Sequence, residues 1–286
     1  MALGYKKAQR RGGVRITCVV DDSALPGSRF LSQHGLSFLI ESYERYILFD
    51  TGASGKVILH NLTRLGVEPE SLSAVVLSHA HTDHTGGLAA ILERSPDIPV
   101  YAHPDIFIPR LSLREDRLKD VSFPLSWATA MLKVRMNLSK EPLEVSPGVW
   151  TSGDINPRPE PEGRSDRHFA RVEGRLVPDP YRDDMALVLD LGDRLAVVCG
   201  CCHAGILNTL RVVRGRFRKP IEAVFGGLHL EDTDEATIIR VGEVLKGWGI
   251  SKLYGNHCTG SKALGLLKEI LGENVEPFPA GSSVVL

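Results

Sequence analysis

The stretch SHAHTDHTGG, residues 78–87, sets His79, His81, Asp83 and His84 within six positions, directly after the apolar run AVVL at 74–77. Neutral imidazoles and a carboxylate are good ligands for borderline divalent metals, and four of them so close together can serve two ions. The competing reading is a solvated polar turn, which gives no reason for three histidines and an aspartate at this spacing. One loop cannot complete two coordination spheres, so further donors are expected from later in the chain. Three histidines follow extended apolar runs beside Gly or Cys: His203 in VCGCCHAG, His229 in FGGLHL and His257 in YGNHCTG. A single histidine there reads more simply as a satisfied polar residue. Three in matching positions after such a loop favour ligands, because α/β proteins gather their sites where strands feed loops.

Outward from this loop, VRITCVV (14–20), HGLSFLIES (34–42) and RYILFDTG (45–52) read as strands. Helical spacing of Val57, Ile58, Leu62 and Leu65 predicts a helix from Gly55 that ends at Gly66. A second helix runs through 87–93, and a strand covers 98–102. The segment 104–140 reads as one or two helices. Five prolines between 155 and 182 suggest a long surface loop. Strands at 185–191, 194–200, 220–227 and 252–255 then alternate with helices at 237–249 and 261–272. This is an α/β pattern. It reads as a basic tail, 1–13, and one domain, 14–286, with an irregular insertion at about 104–182.

Apolar residues make up 43% of the 286 and charged residues 24%, which excludes wholesale disorder. Lys plus Arg number 34 against 35 Asp plus Glu, a balance that argues against a broad nucleic-acid footprint. No apolar run approaches the roughly 18 residues needed to span a bilayer. The five cysteines, without framework spacing, suggest a reducing compartment, and a cytoplasmic location is expected. RVVRGRFRK (211–219) is read as a solvated helix end, with a phosphate-attracting rim as the sharper alternative. His60, His103 and His168 have no metal-like context and read as surface residues.

HAHTDH, preceded by LFDTG at 48–52, resembles the signature of the metallo-β-lactamase superfamily. The resemblance runs in motif order from Asp50 to His257. It implies an αββα sandwich of two mixed sheets flanked by helices, with a dinuclear site at one edge. By that likeness His79 and His81 bind one metal, Asp83 and His84 the other, and His257 matches the last histidine ligand. The chain departs from the pattern where a Gly-Asp pair is usual, since that place reads GCCH (200–203), and the loop PYRDDMAL (180–187) lacks the usual histidine. His203 is therefore expected to donate by a different route, with Asp184 or Asp183 as a further carboxylate. Cys201 stands either at the bridging position or as a small core residue. Asp50, His34, His229 and Asp184 are expected to support the site or to meet substrate.

The wider set HGLSFLIE, GCCHAGILNTL, GGLHL and HCTG is similar to a branch that includes archaeal dihydropteroate-type synthases for the methanopterin precursor and many predicted metal-dependent hydrolases. The expected cofactors are two divalent ions, zinc first, with iron or manganese also suited to such ligands. The expected activity is hydrolysis of a small anionic, phosphorylated substrate by a metal-activated hydroxide. Asp83 would orient that hydroxide or relay a proton, with His203 beside it. One alternative is a synthase joining a dihydropterin-methyl diphosphate to a ribofuranosylaminobenzene phosphate, with Phe38, Trp127 and Phe169 offered for the pterin. Another is a non-hydrolytic redox or sensor module. No membrane partner is expected, and the sequence points to no oligomeric state.

Overall fold

Alternation along the strands sorts the apolar residues into three layers of core. The computed structural model describes residues 13–124 and 135–286. In the strand Arg45–Phe49, Ile47 and Phe49 join the core between two sheets, while Leu48 joins the layer on the opposite face. In Leu195–Cys199, Ala196 and Val198 enter the same central core, and Leu195, Val197 and Cys199 turn the other way. The period of two that defines a strand therefore separates inter-sheet contacts from sheet–helix contacts.

The first sheet has the spatial order Ser283–Val285, Arg15–Val20, Ser37–Ser42, Arg45–Phe49, Leu72–Val76, Pro99–Ala102, Arg135–Leu138. The second runs Val275–Pro277, Lys252–Gly255, Ile221–Gly226, Leu195–Cys199, Ala186–Asp190, Val149–Thr151, Glu144–Ser146. Helices Gly55–Arg64 and Leu88–Arg94 cover the outer face of the first sheet through Val57, Ile58, Leu62, Ile91 and Leu92. Ile206–Phe217, Glu235–Gly247 and Ser261–Leu271 cover the second. The result is the expected helix–sheet–sheet–helix sandwich of mixed sheets.

Parallel pairing decides where the functional loops emerge. Arg45–Phe49 pairs in parallel with Leu72–Val76, so Asp50 and His79 leave the first sheet at one edge. Leu195–Cys199, Ile221–Gly226 and Lys252–Gly255 are likewise parallel, so His203, His229 and His257 leave the second sheet together.

The expected insertion proves to be strand-rich. One or two helices were expected across 104–140. A short 3-10 helix covers Pro104–Phe107, while Arg110–Arg114 and Arg117–Asp120 form a hairpin and Arg135–Leu138 joins the first sheet. The part of that expectation at 125–134 lies outside the described residues. The supposed surface loop at 155–182 contains a second hairpin, His168–Val172 with Arg175–Pro178, and the two hairpins make a separate four-stranded sheet. Much of this sheet faces solvent, so its charged residues mask the alternation on which a strand reading depends. The turns at Glu115–Asp116 and Glu173–Gly174 all have positive φ, the geometry of two-residue hairpins. Only the Glu173–Gly174 pair carried a sequence cue for it.

Phe225 sits in the central core, fully buried, with its ring stacked 4.6 Å from that of Tyr254. Phe225→Ala should lower the unfolding free energy by about 3–5 kcal/mol. Urea denaturation measures this, and a loss below about 1 kcal/mol would contradict the inter-sheet packing.

Candidate metal centre

The site begins with one buried carboxylate. Asp50, at the end of its strand with φ 58°, accepts hydrogen bonds from the Ser78 backbone N–H at 2.7 Å, the Ser78 hydroxyl at 2.7 Å and His84 Nδ1 at 2.7 Å. With its proton given to Asp50, the Ser78 oxygen accepts from His79 Nδ1 at 2.8 Å. Both imidazoles therefore hold a proton on Nδ1 and turn Nε2 inward. This is the outer-sphere arrangement that orients histidine ligands. Gly200 lets the second sheet approach, since a Cβ there would lie 2.1 Å from Ser78 Oγ and 3.0 Å from Asp50 Oδ2.

Two donor groups result. In the first, ligand atoms of His79, His81 and His203 lie within 4.8 Å of one another. His203 donates Nδ1–H to the Gly163 carbonyl at 3.3 Å, and the Nε2 atoms of all three are buried with no hydrogen-bond partner among the described residues. Burial pushes all three well below the usual histidine range, so they are neutral at pH 7. Unsatisfied buried nitrogens are costly, on the order of 1–3 kcal/mol each. A cation at their centre would satisfy all three at once.

In the second group, Asp83, His84, Cys201 and His257 lie within 4.8 Å of one another. Burial alone would lower His84 and His257, but Asp83 and Asp50 outweigh it at His84, and hydrogen bonds to Asp22 and Asp83 do so at His257, so both are raised. Burial alone would raise Asp83, yet His84 and His257 hold it well below the usual carboxylate range. This group attracts positive charge, which a divalent ion would supply. The donor chemistry of both groups fits borderline divalent metals.

Of the sequence candidates, His79, His81 and His203 come together in one group and Asp83, His84 and His257 in the other. His229 is close behind, 4.3 Å from His203 ring to ring, and forms a further group with Cys201 and His203. His34 stands at the rim, 3.2 Å from Asp22 and 3.7 Å from Asp83. Asp183 and Asp184 lie outside these groups, and Asp184 Oδ1 is buried with no hydrogen-bond partner among the described residues. Asp183 instead accepts from the Ala80 N–H at 2.8 Å, between His79 and His81, and Asp184 from the Ala204 N–H at 2.6 Å, next to His203. They clamp the two histidine loops. Buried Arg110 of the third sheet reaches Asp183 at 2.6 Å and Asp179 at 3.0 Å, which ties that sheet to the site.

Three other expectations need correcting. His168 belongs to the site wall: its ring lies 4.9 Å from His81 and 5.5 Å from His203. His103 is buried, with Nδ1 accepting from the Asp105 N–H at 3.0 Å. Phe38 lies in the inter-sheet core and Phe169 in the third sheet, while Trp127 is outside the described residues. The basic stretch 211–219 is engaged structurally, with Arg211 on Glu160, Lys219 on Asp190, Arg216 on the Ser152 carbonyl and Arg214 over Trp248. His60 contacts the Arg29 carbonyl at 2.9 Å.

Sequence reading missed Asp22, which holds His257 Nδ1 at 2.7 Å from 235 positions away. It also missed Tyr181, whose ring stacks on His203 at 4.3 Å with 5° between the planes. Above the donors open two adjoining cavities of about 300 and 700 Å³, which share Ser165, Arg167, His229 and Asp232. Leu113 is the apolar residue in a lining otherwise made of polar and charged side chains and Cys258.

Residues 33–201 match the family model of the metallo-beta-lactamase superfamily. The 7,8-dihydropterin-6-methyl-4-(beta-D-ribofuranosyl)-aminobenzene-5'-phosphate synthase of Methanocaldococcus jannaschii is 34% identical over 282 residues, covering 95% of this chain and 96% of that protein. An uncharacterized protein of the same organism is 30% identical, covering 89% of this chain and 94% of its own length. Among solved structures, Tm1679, a metal-dependent hydrolase of the beta-lactamase superfamily, is similar with a TM-score of 0.81 at 28% identity, over 96% of this chain and 99% of that one.

Because Asp50 orients His84 directly and His79 through Ser78, Asp50→Asn should weaken metal affinity about 10–100-fold. Gly200→Ala should also lower metal content, through its collision with Ser78. Competition against a chromogenic chelator measures both, and wild-type affinity in both variants would contradict the arrangement.

Proposed function

The chain belongs to the metallo-β-lactamase superfamily, and on that premise we propose that it is a two-ion metalloenzyme that hydrolyses a small phosphorylated substrate. The observation that carries this reading is the pair of adjacent donor groups, His79–His81–His203 and Asp83–His84–His257, beside a cavity lined by their neighbours His34, His168 and His229. In this reading Asp83 is the one carboxylate among those six donors, so two divalent ions leave a strongly positive centre that suits phosphoryl oxygens. Divalent ions bound there supply Lewis acidity toward phosphoryl oxygens and toward water.

The chain's own residues supply the remaining steps. Asp83 Oδ2, 3.2 Å from His257 Nε2 and 3.6 Å from His84 Nε2, holds a position where it can accept a hydrogen bond from an attacking water and so orient it. His168 offers a neutral donor above the centre. The Ser165 N–H donates to the Tyr181 oxygen at 3.2 Å, and the Tyr181 hydroxyl then donates to His168 Nδ1 at 3.0 Å, which leaves the His168 proton on Nε2. Burial and then the nearby His229 push His168 down to about 4, so near pH 7 it contributes a hydrogen bond and no charge. Arg114 and Arg167 stand in the same cavity, mixed with Glu115, Asp116 and Asp232, which suits a polar substrate rather than a polyanion.

A second reading, synthesis instead of hydrolysis, is favoured by the relative that matches over nearly its full length, a synthase named for a dihydropterin joined to an aminobenzene riboside phosphate. An arylamine would then replace water as the acceptor. Both readings place a phosphorylated substrate in the same cavities, where Arg114, Arg164 and Arg167 can meet its oxygens, and the requirement for an arylamine separates them.

Zinc- or manganese-loaded protein should release phosphate or alcohol from a panel of phosphate mono- and diesters. His81→Ala should reduce turnover by more than about a hundredfold, beyond the effect of losing an outer-sphere partner. If turnover appears solely with a dihydropterin diphosphate plus an arylamine, the synthase reading replaces the hydrolase. If neither reaction proceeds in the loaded protein, both readings fail.

A further inference from the structure

A cavity of about 550 Å³ shares no lining residue with the two cavities above the metal centre and contains none of its donors. Its wall holds His103, Asp105, Lys140, Asp154, Arg158 and Arg182. His103 follows the strand Pro99–Ala102 and is 1% exposed. Its Nδ1 accepts from the Asp105 N–H at 3.0 Å, so the neutral ring carries its proton on Nε2. That Nε2 is buried with no hydrogen-bond partner among the described residues, an arrangement that is costly unless something accepts from it. Burial holds the ring below the usual histidine range, so near pH 7 it offers a donor without a charge.

The cations around it lack partners of opposite charge. Lys140, Arg158 and Arg182 make no ion pair among the described residues. Arg158 is fixed by the carbonyls of Ile155 at 2.6 Å, Pro180 at 2.8 Å and Tyr181 at 2.8 Å. These engage three of the five guanidinium N–H donors and bring no negative charge. A preorganised cation with free donors suits a carboxylate or phosphate oxygen. A metal ion is the poorer occupant, because the free nitrogen of His103 carries a proton and not a lone pair.

We infer that this cavity is a second binding site, for a small molecule with one carboxylate or phosphate group received by His103 and Arg158 between Lys140 and Arg182. Asp105 and Asp154 on the same wall disfavour a polyanion and suit a ligand whose remainder is polar or cationic.

The test is titration of zinc-loaded protein, carrying isotope-labelled histidine, with sodium phosphate and separately with sodium acetate at constant ionic strength. Nuclear magnetic resonance of the ring N–H groups follows binding. The His103 signal, identified by its absence from His103→Gln or by its contact with the Asp105 amide, should move saturably with at least one of the two anions. The anion that binds more tightly identifies the head group. Lys140 and Arg182 are both exposed, so the double variant Lys140→Ala, Arg182→Ala should fold and weaken binding about tenfold or more. No saturable movement of the His103 signal with either anion overturns the site. So does movement confined to the histidines of the metal centre, or unchanged affinity in the double variant.

Discussion

The buried carboxylate of Asp50 is the constraint on which the rest of the site depends. A fully buried carboxylate is expensive unless several donors satisfy it. Here three do, and each belongs to the histidine loop that the next strand delivers: the Ser78 N–H, the Ser78 hydroxyl and His84 Nδ1. Satisfying Asp50 therefore fixes the path of the loop and the tautomers of His79 and His84 in one step. The second sheet must then come close enough to bring His203 and Cys201, and Gly200 allows it.

Other strained or clamped positions serve the same geometry. Asp50, Tyr181, Cys202, His229 and His257 all have positive φ without being glycine. Such conformations cost on the order of 1–3 kcal/mol and persist where surrounding bonds over-determine them. The bonds are present: the His257 N–H and Nδ1 are held by Asp21 and Asp22, and the Tyr181 N–H by Asp179. Asp183 and Asp184 tie the loop before the strand Ala186–Asp190 to the backbone beside His81 and His203. Stability of the sandwich is thus spent on holding donors that face one another across a small gap.

Much of this was legible in the sequence because the signals are local. The HTDH loop after AVVL, the strand-end histidines and the period-two strands around them needed only a few neighbouring residues to be read. The αββα arrangement followed from these motifs through the resemblance they carry. Long-range partners were not legible. Asp22 meets His257, and Asp183 meets Ala80, across separations of 235 and 103 residues, with no spacing that announces them. His168 looked like a surface residue because it sits in a charged segment, and the hairpin that carries it faces solvent on its far strand. Asp184 was expected to donate or to support the site. What its spacing did not announce is that one oxygen holds the Ala204 N–H while the other stays buried without a hydrogen-bond partner among the described residues.

The central claim is that the two donor groups hold two divalent ions side by side. A crystal structure of zinc-loaded protein, with anomalous scattering recorded at the zinc edge, tests it most directly. The account predicts two peaks. One should lie about 2.0–2.1 Å from Nε2 of His79, His81 and His203, and the other at similar distances from Asp83, His84 and His257. A single peak, or peaks bound by other residues while these nitrogens stay unliganded, would contradict it.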